Sequence, residues 1–139
     1  MVIPVRGIIS NAAREGFIRT RPSMVQEVVS QLRLAEKDKN IKAVIFKIDS
    51  PGGSVTASDI LYNEIESFKE RTGVKVVVAM MGLTASGGYY ISLPADYILA
   101  HPTTITGSIG VIFTRPRVTS LMQKVGIDVN VNKSGKNKD

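Results

Sequence analysis

Two stretches of this sequence place small and hydroxylated residues where the chain leaves a strand-like run and enters a helix-like one. The first, Asp49-Ser50-Pro51-Gly52-Gly53, follows a β-branched segment. A glycine pair at such a joint lets the backbone approach a ligand and turn its N–H groups outward, which is what holding an oxyanion requires. The same residues equally make a plain tight turn. The second, Ala85-Ser86-Gly87-Gly88-Tyr89-Tyr90, stands at the start of another helical pattern. A serine there has small neighbours, an accessible hydroxyl, and the positive end of a helix dipole to favour a developing negative charge. It is also the place of an ordinary N-cap serine. Both joints carry a Gly-Gly pair, so one could supply an oxyanion donor to a nucleophile on the other.

The elements that must position these joints alternate between strand and helix along the whole chain, the rhythm of an α/β domain. Val2 to Ile9 reads as a strand. Ser23 with Gln26 three residues later forms a capping-box pattern that opens a helix to about Asp38, with Val25, Val28, Val29, Leu32 and Ala35 on one face. Ile41 to Ile48 reads as a buried strand, and a helix from about Ser54 to Arg71 carries Leu61, Ile65 and Phe68 on one side. Lys75 to Met80 is the next strand; Gly82-Leu83-Thr84-Ala85 reads as a turn into a helix that begins near Ser86 and ends at Pro94. Then come a short strand at Tyr97 to Ala100, a loop at Thr103 to Gly110, a helix at Val118 to Val125 and a last strand at Ile127 to Val131.

With 139 residues and 43% of them hydrophobic, the chain has the size and apolar content of one domain with a real core, 1–139. The longest apolar runs fall well short of the roughly 20 residues that cross a bilayer, and Met1 to Gly7 lacks the pattern of a signal peptide. Zero cysteines exclude disulfides, thiolate metal sites and a cysteine nucleophile. The net charge of +6 is spread along the chain without basic-aromatic interleaving, which argues against nucleic acid as partner. The sequence stops at Lys138-Asp139 without a closing helix, the expectation being a domain truncated at its C-terminus and lacking an N-terminal membrane anchor.

Taken together, Asp49-Ser50-Pro51-Gly52-Gly53, Thr84-Ala85-Ser86-Gly87-Gly88-Tyr89-Tyr90 and Thr104-Ile105-Thr106-Gly107-Ser108-Ile109-Gly110-Val111 resemble, in order and spacing, the signal peptide peptidase A family of the Clp-protease/crotonase superfamily. The resemblance covers essentially the whole chain. It implies a spiral of ββα units, Ser86 as nucleophile, and the backbone amides of Gly53 and Gly87 as oxyanion donors, with Gly52 supporting them. A serine hydroxyl needs a base. The only histidine, His101 in Leu99-Ala100-His101-Pro102, reads as a strand-end or surface residue. The family uses a lysine in a Ser-Gly-x-x-Lys-Asp segment, and Ser134-Gly135-Lys136-Asn137-Lys138-Asp139 puts Lys138 at that position. Without the resemblance, three lysines in so short a stretch read as a solvated tail. Ser134 and Thr106 to Ser108 are candidate supporting hydroxyls, or ordinary loop hydrogen-bonding groups.

The implied chemistry is peptide-bond hydrolysis by a Ser86/Lys138 dyad, with no cofactor and no metal. The implied substrates are signal-peptide remnants or other membrane-associated polypeptides. The resemblance further implies a homo-oligomer with sites near subunit interfaces, membrane attachment through a segment absent here, and a location at the cell membrane facing the extracytoplasmic side. Two other classes stay open. A crotonase-like acyl-thioester enzyme would use the paired amides without a nucleophilic serine, and an inactive scaffold fragment would keep only the fold.

Overall fold

A computed structural model describes residues 1–13, 22–128 and 130–135. Four strands lie in a parallel sheet in the order β1 (Val2–Arg6), β2 (Ala43–Ser50), β3 (Lys75–Ala85), β4 (Tyr97–Ala100). A fifth, β5 (Ile105–Gly107), pairs with the far end of β3. β3 is therefore shared: Val77 to Met80 pair with β4, and Leu83 to Ala85 pair with β5. Helices α1 (Met24–Lys37) and α2 (Val55–Thr72) connect the first three strands, and the short α3 (Gly87–Tyr90) and α4 (Thr119–Lys124) come later in the chain.

The capping box is present. Ser23 Oγ accepts the Gln26 N–H at 3.2 Å, and Gln26 Oε1 accepts the Ser23 N–H at 3.1 Å. Val25, Val28, Leu32 and Ala35 are buried with Leu61, Ile65 and Phe68 of α2 in one continuous core. Gly73, at φ 65°, ends α2 in the left-handed conformation that glycine adopts without strain. On the sheet side the core takes alternate residues: Ile3 and Val5, then Val44, Phe46 and Ile48, then Val76, Val78 and Met80. The strand expected over Ile41 to Ile48 is observed as β2, Ala43–Ser50, and is buried on one face only, because the core-facing residues alternate with Ile45 and Lys47, which point away from it.

Three other expectations are corrected. Gly82 to Ala85 is strand rather than turn, since β5 and the end of β2 both pair with it. The helix after Ser86 has four residues rather than reaching Pro94, and turns fill the interval. Among the described residues of 127–131 there is no strand; no neighbouring edge pairs with them there. The Ile9 end of the predicted first strand survives as a single parallel bridge to Gly53. Among the described residues, no helix is long and apolar enough to cross a membrane.

Candidate active site

The site is assembled at the C-terminal ends of β2 and β3, the edge at which parallel α/β sheets bind ligands. β2 and β3 run in step until Ile48 pairs with Met80, and then Ser50 pairs with Thr84. β3 has gained two residues in this interval, a bulge that re-aims the rest of the strand. The Asp49 carboxylate fills it, accepting the Leu83 N–H at 3.0 Å, and Thr84 Oγ1 donates to the Ile48 carbonyl at 2.9 Å. The bulge brings Ser86 out beside the Pro51-Gly52-Gly53 turn.

Ser86 sits at φ 52°, ψ −122° between β3 and α3, a backbone region that non-glycine residues rarely enter. Such a conformation costs on the order of 1–3 kcal/mol and persists only where surrounding bonds enforce it. Here the Ser86 N–H donates to the Gly107 carbonyl at 2.8 Å, and the Ser86 carbonyl accepts from Tyr90 at 2.9 Å. The serine occupies the N-cap position, yet its side chain makes no capping hydrogen bond. With only four helical residues behind it, the electrostatic help lies in the individual N–H groups rather than a long helix dipole.

The two glycine pairs interlock. Gly52, at φ 95°, is buried, and a β-carbon on it would lie 2.9 Å from Ser86 Cβ. A β-carbon on Gly88 would come 2.8 Å from the Ser50 carbonyl oxygen, and one on Gly87 would collide with Ser58 Oγ. The bridge to Ile9 fixes the neighbour. Ile9 donates to the Gly52 carbonyl at 2.9 Å and Ser54 donates to the Ile9 carbonyl at 3.0 Å. In a parallel bridge of that register the N–H of the intervening residue, Gly53, faces the other way. Neither the Gly53 nor the Gly87 N–H donates to a backbone or side-chain acceptor among the described residues. Buried Ser50 supports the turn from below, donating to the Gly7 carbonyl at 2.6 Å and accepting the Gly52 N–H at 3.1 Å.

Gly53, Ser86 and Gly87 line one cavity of about 460 Å³, together with Val55, Ser58, Asp59, Tyr90, Ile109 and Val111. At its wall the Tyr90 hydroxyl donates to Asp59 Oδ1 at 3.2 Å, and the Tyr90 ring stacks on Tyr62. Desolvation first, and then the Asp59 carboxylate, push the Tyr90 phenol above its usual range, so it remains a donor.

Ser108 also has positive φ, 52°, directly after the Gly107 that holds Ser86, while Thr106 Oγ1 is turned to the Met80 sulfur at 3.5 Å. Ser134 is exposed and does not line the cavity. Lys138 lies outside the described residues. His101 is exposed at the end of β4, with Nδ1 2.9 Å from Thr103 Oγ1, and does not reach the cavity. Sequence reasoning assigns no role to Asp49 or Ser50, although both stand in the quoted motif. It also misses Asp59, whose position one turn into α2 carries no signal until Ile109 and Val111 are found lining the same cavity.

The parallel sheet, the bulged central strand and the serine elbow beside a Gly-Gly turn define a Clp-protease-like α/β fold. A ClpP1 variant from Listeria monocytogenes superposes with TM-score 0.60 at 24% identity, covering 76% of this chain and 53% of its own. A lysine-to-alanine mutant of the 1510-N membrane-bound stomatin-specific protease, in complex with a substrate peptide, gives TM-score 0.65 at 23% identity, covering 84% and 47%. The chain belongs to peptidase family S49, whose model matches residues 69–139. It is 44% identical over 98 residues to Protease 4 of Salmonella typhi, over 70% of this chain and 16% of that protein. It is 36% identical over 137 residues to the chloroplastic serine protease SPPA of Arabidopsis thaliana, over 97% of this chain and 20% of that protein. The chain thus spans a fifth or less of the length of these two relatives.

Proposed function

We propose that this chain carries the nucleophile and oxyanion hole of a serine endopeptidase. Ser86 attacks the carbonyl of the cleaved bond, and its proton passes to neutral Lys138. The Gly53 and Gly87 amides hold the tetrahedral oxyanion, and the proton is returned to the leaving amine. Water then hydrolyses the acyl-enzyme with the lysine again as base. The observation that carries this reading is the strained, uncapped Ser86 in one cavity with Gly53 and Gly87, whose N–H groups donate to no acceptor among the described residues. A satisfied structural serine would have no need of that backbone conformation. Membership of a peptidase family supports the same chemistry, and Lys138 enters through the family resemblance of its segment.

The substrates proposed are signal-peptide remnants and other membrane-associated polypeptides, handled at the extracytoplasmic side of the cell membrane. Homo-oligomerisation with sites near the interfaces is supported by apolar surface beyond the site. Ile112 and Phe113 are 91% and 82% exposed, and Leu121 and Val125 are exposed further along the chain. Exposed apolar side chains of this kind suit a contact face between copies of the chain.

A fluorophosphonate probe applied to the full-length protein tests the central claim. Labelling should fall on Ser86, be lost in Ser86→Ala, and block cleavage of a fluorogenic peptide. An unlabelled Ser86 in a protein that still cleaves peptides would reject the assignment. An unlabelled protein that turns over an acyl-thioester instead would favour the crotonase-like alternative.

A further inference from the structure

Among the described residues the cavity at Ser86 has one carboxylate in its wall, and the proposed mechanism gives it nothing to do. We propose that Asp59 makes this cavity a subsite for a substrate side chain with an apolar stem and a cationic end, a lysine or arginine immediately before the cleaved bond. The inference rests on Ser86 being the nucleophile, because that is what makes the adjoining cavity the place of this side chain.

Asp59, on α2, lines the cavity together with Val55 and Ser58 of the same stretch and with Ile109 and Val111. Its two oxygens are held by neutral donors: Oδ1 by the Tyr90 hydroxyl at 3.2 Å and Oδ2 by the Asn63 amide at 3.2 Å. Among the described residues no lysine, arginine or histidine forms an ion pair with it. The carboxylate is therefore oriented but not neutralised. Tyr90 is itself fixed, its ring centroid 4.9 Å from that of Tyr62, so the donor that aims Asp59 is not free to swing away.

The rest of the wall is mostly apolar or glycine. A leucine-like side chain would fit among Val55, Ile109 and Val111, but in covering Asp59 it would displace water from a charge that has no counter-ion among the described residues. That desolvation is not returned by any new contact. A lysine or arginine lays its methylenes along the same apolar residues and brings its cationic head to the carboxylate, as amphipathic side chains do at such boundaries. A cavity of about 460 Å³ holds either cationic side chain.

The test uses the full-length protein and two peptidyl diphenyl phosphonates that differ only in the side chain before the reactive phosphorus, lysine or norleucine. In each, Ser86 Oγ bonds to phosphorus and displaces phenoxide, which leaves as phenol with the serine proton. The ratio of the two labelling rates is read within each variant, so a general loss of activity or folding cancels. The lysine probe should react roughly fivefold faster, the most that one partly exposed ion pair commonly supports. That preference should shrink at high salt. Asp59→Asn should bring the ratio close to one, and Asp59→Glu should retain a preference for lysine. A norleucine preference in the parent, or an unchanged ratio in Asp59→Asn while both probes still label Ser86, overturns the subsite and leaves the nucleophile standing. Failure of both probes and of a plain fluorophosphonate to label Ser86 overturns the nucleophile, and the subsite with it.

Discussion

Gly52 and Gly87, from the two separate strand-to-helix joints, are packed so closely that a β-carbon on Gly52 would lie 2.6 Å from the Gly87 nitrogen. That nitrogen is one of the two proposed oxyanion donors. Neither residue can acquire a side chain without disturbing the opposite joint and the proposed reacting centre, and glycine meets that constraint at both.

Gly52→Ala should therefore disable the site in two ways. Its φ of 95° is costly for alanine, and the new methyl meets the backbone of the opposite joint rather than a side chain that can swing aside. Peptide cleavage should fall by on the order of 10²-fold, the scale of losing one oxyanion donor. A drop in thermal stability should accompany it. Gly73→Ala, also at positive φ but with open space around its β-carbon, should lower stability without a comparable loss of activity. Equal activity losses in the two variants would show that strain alone, and not contact with Gly87, matters at Gly52.

Asp49 gives a second prediction. Its carboxylate accepts the Leu83 N–H inside the bulge that sends β3 towards Ser86. Asp49→Ala removes that acceptor and should lower kcat by roughly tenfold or more, since small misplacements of a reacting group are expensive. Asp49→Asn keeps an acceptor oxygen and should retain most of the activity. An Asn variant as weak as the Ala variant would mean that the charge, and not a neutral acceptor for the Leu83 N–H, is what Asp49 supplies.

These residues also show how much is legible without coordinates. The capping box at Ser23 and Gln26 and the buried face of α1 arise from local chemistry and 3.6-residue periodicity, and both are present. Gly82 to Ala85 misleads because a glycine and small residues resemble a turn. Their strand conformation comes from two partners distant in sequence, β5 and the end of β2. The helix at Ser86 is shorter than its composition suggests for a related reason: the approach to Pro94 reads as helical, but one turn is all that forms before the chain must reach Asp96 and β4. The Gly53, Ser86 and Gly87 grouping is legible because glycine pairs mark close approach. Asp59 is not, because nothing in α2 tells which exposed carboxylate will face a cavity.

A pH-dependent prediction comes from Asp96. It accepts the Val76 N–H at 2.8 Å and the Lys75 ammonium at 2.9 Å, with Lys69 3.6 Å away. The backbone bond to Val76 first, and then Lys75, lower its pKa from 3.8 to about 2. Because the folded-state value is depressed, the stabilisation is complete above the unfolded value and is lost as pH falls from about 4 towards about 2. Asp96→Asn should lower Tm by a few degrees at neutral pH, and the gap to the parent should close across that acidic interval. A gap that stays constant down to the lower end would show that the carboxylate's charge contributes nothing.

His101 provides a negative control with a definite outcome. Its ring is engaged with Thr103 at the exposed end of β4 and does not line the Ser86 cavity. His101→Ala in the full-length protein should leave peptide hydrolysis within a few-fold of the parent. A loss of 10²-fold or more, the size expected of a missing general base, would restore the histidine to the mechanism.

The last prediction concerns Ser86 and Lys138, the second known here from its sequence segment alone. An ammonium with the ordinary lysine pKa, about 10.4, is protonated at neutral pH and cannot take a proton, so a lysine base requires desolvation in the assembled protein. In the full-length protein, Ser86→Ala and Lys138→Ala should each reduce kcat by on the order of 10³-fold or more. Their double mutant should be no worse than either single variant, because nucleophile and base act as one unit. Lys136→Ala, two residues away, should stay within a few-fold of the parent. In the parent, kcat/KM should rise with pH through the pKa of the free enzyme's lysine, well below its ordinary value. A Lys138→Ala protein that still cleaves at near-parental rate, with the rising pH limb in place, would assign the base to another group.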